Sequence, residues 1–172
     1  MFLLKMVMVL LLLGIFYQDI RSRAVYWVFF PLLALAFVLQ RLLVGQTPQM
    51  VAFESAFPAA FLLIQLLVLS IYFSLKQKRF VNITESLLGP GDILFLFCLC
   101  LYFPAINFIA FYIVSLFAII AGWLTISHIR QQKGTIPLAG LQAAFVLLLI
   151  GFGINPANEN WFYTFIKPYY AV

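Results

Sequence analysis

Charge is what this sequence has least of. Lys, Arg, Asp and Glu supply 9% of its 172 residues, and only five residues are acidic, against 66% hydrophobic residues. A soluble globule carries about a quarter charged residues. That class is excluded, and an integral membrane protein is expected, with the lipid bilayer as its first partner. Cysteine occurs twice, as Cys98 and Cys100 inside an apolar run, a spacing that turns the two side chains to different faces of a helix. Neither a disulfide nor a metal site is expected from them, and no metal or cofactor is assigned. Histidine occurs once, as His128 beside Arg130, where it reads as a helix-end residue. Little is then left to activate a serine or cysteine nucleophile. Phosphate loops of the GxxxxGK[ST] type, HExxH, GxSxG, internal repeats and low-complexity segments are also missing. The net charge of +5 is spread thinly between apolar runs. It forms no patch for nucleic acid and reads as a topology signal.

What is present is apolar length. A helix that crosses a bilayer needs about 20 mostly apolar residues, and the chain divides on that measure into Phe2 to Tyr17, Tyr26 to Val44, Phe53 to Leu75, Asp92 to Tyr102, Ala105 to Ser127 and Pro137 to Gly153. The fold class expected is all-α, a polytopic membrane protein of about six transmembrane helices. The apolar run from Ile93 to Ile126 would overshoot a bilayer as one helix. Pro104 and Asn107 are expected to break it into a short fourth helix, a tight hairpin and a fifth helix. No small-x-small cleavage site follows the first segment, which is kept as a permanent helix. The tail from Asn155, with Trp161, Phe162, Tyr163, Phe165, Tyr169 and Tyr170, is expected to lie along the interface. The division is then a membrane domain over 1–154 and an aromatic tail over 155–172.

The connecting stretches separate by charge. Arg21, Arg23, Lys76, Lys78, Arg79, Arg130 and Lys133 follow the first, third and fifth segments, whereas Lys5, Arg41 and Lys167 fall on the other side. The positive-inside rule puts the first set in the cytoplasm and both termini outside. The polar stretch from Lys76 to Gly91 is expected to be a flexible cytoplasmic loop.

Two carboxylates stand out on that face. Asp92 follows the turn Gly89-Pro90-Gly91 at the mouth of an apolar run, and Asp19 closes the first segment ahead of Ile20-Arg21-Ser22-Arg23. Ionisable groups at membrane depth are costly and read as functional by default. A pair brought close enough to share one proton supports aspartyl hydrolysis: the ionised member draws a proton from water while the protonated one polarises a carbonyl. Gly89 and Gly91 are expected to supply backbone freedom around Pro90, and Asp92 to cap or begin the next helix. Because Asp92 opens a helix and Asp19 ends one, the helix dipoles favour Asp92 as the ionised base and Asp19 as holder of the proton.

At these residues the sequence resembles the type IV prepilin peptidases, a family of intramembrane aspartyl proteases with the archaeal preflagellin peptidases as relatives. The family's first motif, like D[LI]RxRxIPN, is matched by Asp19-Ile20-Arg21-Ser22-Arg23, and its GxGDxK by Gly89-Pro90-Gly91-Asp92. Ile136-Pro137-Leu138-Ala139-Gly140 echoes a later family feature that opens the last helix. Two positions depart: Leu94 stands where the family has lysine, and Tyr26-Trp27 where it has Pro-Asn. No role of that lysine carries over. The resemblance implies that Asp19 and Asp92 are the catalytic pair, supported by Gly89 and Gly91. It also implies a substrate of prepilin-like proteins with a basic leader and an apolar helix, cut at the cytoplasmic face of the cell membrane. Many bacterial relatives add a methyltransferase part with paired CxxC motifs; none occurs here, so N-methylation is not expected of this chain. Glu85 is a candidate for attracting the basic leader. The alternative reading is a non-catalytic membrane assembly partner or small transporter subunit of the same fold.

Overall fold

A computed structural model describes residues 2–78, 89–130, 137–154 and 157, the side chains of 126–130 excepted. Among the described residues the protein is all-helical: α1 (Phe2–Ser22), α2 (Phe29–Leu43), α3 (Pro48–Gln77), α4 (Pro90–Tyr102), α5 (Ala105–Arg130) and α6 (Leu138–Gly151). Three of these, α1, α3 and the Ala105–Thr125 part of α5, are long and apolar enough to cross a membrane. The other three are shorter apolar helices. With 13 residues, α4 is about 20 Å long at 1.5 Å per residue. The expected stretches Glu85 and 155–172, apart from Ala157, lie outside the described residues, as do Arg79 and Lys133.

Proline sets where several helices begin. Its missing N–H costs nothing in the first turn, where backbone donors have no helical partner. Pro48 follows the cap Thr47, whose hydroxyl accepts from the Met50 N–H at 3.3 Å, and Pro90 opens α4 after Gly89. Between α4 and α5 the chain is extended at Phe103, and Pro104 then accepts the first bond of α5 from the Phe108 N–H at 2.8 Å. The break expected near Pro104 is therefore there, and it falls at Phe103 and Pro104, ahead of Asn107. Asn107 is buried within the first turn of α5. The polar loop expected from Lys76 also begins later, since α3 continues to Gln77 and closes on Lys78 in the left-handed region (φ 51°).

The short helix α4 lies at the centre. It packs against α2, α3, α5 and α6, and its buried residues Phe95, Leu96, Cys98, Leu99, Cys100 and Tyr102 cover more than half of its circumference. Both cysteines are free and buried, and they do face different ways: Cys98 donates to the Phe30 carbonyl of α2, Cys100 to Leu96 within its own helix, each at 3.3 Å. Lipid tails are as apolar as leucine, so close packing rather than water exclusion holds such a bundle together. Stacked aromatic pairs supply it here, with centroids 4.2 Å apart for Phe37 and Tyr102 and 4.7 Å for Phe103 and Phe111. At Gly14 of α1 an added Cβ would lie 2.5 Å from the Phe29 ring. The absent side chain lets α2 begin against α1. Outward, the helices present large apolar residues such as Leu10, Phe57, Ile64, Val114 and Phe117, the surface a hydrocarbon solvent calls for.

One charge expected at the surface is inside. Arg41, counted above among the loop cations, is fully buried in the last turn of α2. Its guanidinium pairs with Glu54 of α3 and donates to Gln46 Oε1 at 2.5 Å and Ser55 Oγ at 3.5 Å. An unpaired guanidinium in a helix bundle would be far more costly than a paired one. The cluster ties α2 to α3 at the end of the bundle away from Asp19.

Candidate functional site

Asp19 lies in the last turn of α1 and Asp92 in the first turn of α4. A third element joins them. Consecutive amides in the first turn of α6 point one at each carboxylate: the Ala139 N–H donates to Asp92 Oδ1 at 2.8 Å, and the Gly140 N–H to Asp19 Oδ2 at 2.6 Å. The first turn of a helix has free N–H groups and the positive end of the dipole, a natural site for anions. Here one helix start serves two carboxylates from distant parts of the sequence. Asp92 gains a further donor, the Gly89 N–H at 3.2 Å to Oδ2.

Asp19 is 7% exposed, and Asp92 is half-buried. Each lies within electrostatic reach of its neighbours, Asp19 of Arg23 and Asp92 of Asp19. Arg23 follows α1 in the left-handed region (φ 51°), its N–H bonded to the Asp19 carbonyl at 3.0 Å. Arg21 turns the other way, back along α1 onto Tyr17, with its guanidinium hydrogen-bonded to the hydroxyl and 5.7 Å from the ring centroid. Of the two arginines in the motif, only Arg23 has its charge directed to the carboxylate end.

The glycines play a different part from the one expected. Gly89 has φ −63° and ψ 147°, ordinary extended backbone open to any residue, and Gly91 is not in the left-handed region. The direction in which α4 starts is set by Pro90 in its first turn, not by glycine freedom. What Gly89 lacks is bulk, since a Cβ there would lie 3.3 Å from Asp92 Oδ2. At Gly91 a Cβ would meet Phe30 at 3.6 Å, an ordinary contact. Gly140 is tighter: its Cβ would lie 3.0 Å from both Cβ and Oδ2 of Asp19. Neither Ala139 nor Gly140 was singled out as functional from the sequence, because backbone donors leave no side-chain signature. The signal was positional, Pro137 and Leu138 followed by the two small residues Ala139 and Gly140 at the start of an apolar helix. Leu94 is 45% exposed on the outside of α4, and Tyr26 and Trp27 are each 72% exposed.

Two like charges this near are not both ionised easily, so the pair is suited to sharing one proton. A neutral and an ionised carboxyl side by side can act as general acid and general base in one step. Among the described residues no cluster of three His, Cys, Asp or Glu side chains is placed to hold a metal ion. No family model, curated protein or solved structure matches the chain.

Proposed function

We propose that this chain is a membrane aspartyl endopeptidase of the prepilin-peptidase kind, removing the basic leader of prepilin-like proteins at the cytoplasmic face. The observation that carries the reading is the pair of adjacent amides, Ala139 and Gly140, each holding one carboxylate. A coincidental pair of helix-end aspartates would not need a common third helix. The donor count also supports the division of roles. Asp92, with two backbone donors, is then the ionised base that activates water, and Asp19, with one, carries the shared proton to the scissile carbonyl, while the Arg23 charge near Asp19 acts against this division.

In this reading all six helices pass the bilayer, with the ends of α1 and α3 and the starts of α4 and α6 in the cytoplasm. Supporting it, Arg21 and Lys76 lie over Tyr17 and Tyr72 at 5.7 and 5.9 Å, the aromatic and basic pairing of a membrane interface. The short α4, about 10 Å less than a hydrocarbon core of about 30 Å, would bring water to Asp92. The test is co-expression with prepilin-like proteins, read as a leader-sized mobility shift. Asp19→Asn and Asp92→Asn should each abolish the shift while the protein stays inserted, since an asparagine carbonyl still accepts the α6 amide. Cleavage retained by either variant would remove the mechanism.

A further inference from the structure

Between α3, α4 and α5 the bundle has a shallow, partly open cleft of about 20 Å3, room for one water-sized group, lined by Leu66, Leu69, Ile93, Phe97, Gln65 and Tyr112 among others. It begins at the residue after Asp92, and its α4 wall reaches to Phe97, about 6 Å further along the helix. In this apolar lining the two polar side chains are paired, the Gln65 amide donating to the Tyr112 hydroxyl at 2.7 Å. That bond uses the amide nitrogen only. The other end of the group, Gln65 Oε1, is buried and has no hydrogen-bond partner.

A buried acceptor without a donor costs about 1 to 3 kcal/mol. An acyl chain lying in the cleft has no donor to offer. Water can serve this acceptor while the cleft is open; a transmembrane helix that covers it has spent its backbone N–H groups on itself, so only a side chain of that helix can replace the bond, and the space suits a small one. Resting on the peptidase reading above, we infer that the cleft receives a serine or threonine of the substrate's transmembrane helix, hydrogen-bonded to Gln65 Oε1. The helix lies along α3 and α4, and the hydroxyl enters about one helical turn on the membrane side of the bond held at Asp19 and Asp92. The cleft then sets the register of cleavage, which two carboxylates alone do not.

The test uses the full chain in liposomes and a synthetic peptide with a basic leader followed by a Leu/Ala helix, carrying one serine at scanned positions or none. A photoreactive residue replaces either Leu69 in the cleft or Leu10, exposed on α1, in the Asp19→Asn, Asp92→Asn double variant. Crosslinking is expected from Leu69 and not from Leu10, and most strongly for serine at one position. With unsubstituted aspartates, that serine should lower KM about fivefold relative to the all-Leu/Ala peptide, the worth of one hydrogen bond. Gln65→Leu should erase the difference with kcat unchanged. If Gln65→Leu does not fold, Tyr112→Phe, which releases the amide, should reduce the preference instead. Serine preference that survives Gln65→Leu, or equal crosslinking from Leu69 and Leu10, would overturn the docking site. Cleavage without a Leu69 crosslink overturns the docking site alone. A Leu69 crosslink without cleavage supports it and overturns the peptidase reading.

Discussion

Replacing Gly140 by alanine separates a packed site from an accidental one, because two terms of known sign compete. Glycine within a helix is about 0.5 to 1 kcal/mol less favourable than alanine, so with nothing nearby Gly140→Ala should stabilise the protein. In the structure the new methyl would lie 3.0 Å from Cβ and Oδ2 of Asp19 and 3.4 Å from its Cγ. Asp19 would have to give way, and crowding of this kind costs about 1 to 3 kcal/mol. Retreat also lengthens the 2.6 Å bond from the Gly140 N–H. We expect a net loss of about 1 to 2 kcal/mol by thermal unfolding in detergent, after the propensity gain is subtracted. Misplacing a reacting group by 1 Å costs on the order of a hundredfold in rate. A shift of a few tenths should reduce leader cleavage about tenfold. Gly122→Ala on α5 is the control, since a Cβ there meets nothing within 4 Å; it should be neutral or stabilising. A Gly140→Ala protein as stable as Gly122→Ala with full turnover would refute the contact between α6 and Asp19.

Three further outcomes are expected. Glu54→Leu should destabilise the protein more than Arg41→Leu, because Arg41 is 0% exposed whereas Glu54 keeps 25%; a buried guanidinium without its counter-charge costs about 3 to 5 kcal/mol, and the reverse order in detergent melts would contradict the buried cluster. Cysteines introduced at the exposed Ser22 and Gln77 should both be labelled from the cytoplasm and one at Gln49 only from the other side; the native Cys98 and Cys100, being buried, should add little background. Opposite labelling of Ser22 and Gln77 would separate the two aspartates. Sharing of a proton by Asp19 and Asp92 should give a bell-shaped pH dependence of kcat/KM, and a profile with a single limb would argue against the coupled pair.

Much of the helical plan was legible because an apolar solvent makes it local. Each segment must satisfy its own backbone hydrogen bonds, so helix formation follows from apolar length. Its interruptions follow from residues that cannot continue, as at Pro104, or that favour a first turn, as at Pro48 and Pro90. Asp92 in the first turn of α4 and Asp19 in the last turn of α1 could be placed this way. The burial of Asn107 was not legible, because a polar residue in an apolar run looks like a loop, whereas here it lies inside the first turn of α5.

What the sequence by itself determined is therefore the all-helical character of the described residues, with three helices long and apolar enough to cross a membrane and two carboxylates at helix ends. Which helix faces which was left to the tertiary structure. Lipid and core are equally apolar, so no alternation of polar and apolar residues marks the inward face. Packing alone put the α6 amides of Ala139 and Gly140 between Asp19 and Asp92, drew Arg41 inside to Glu54, and left Gln65 Oε1 without a donor beside α4. Those contacts join residues far apart in the chain, and backbone donors carry no residue identity. The carboxylates were visible as letters; what holds them together was visible only once α6 had a place in the bundle.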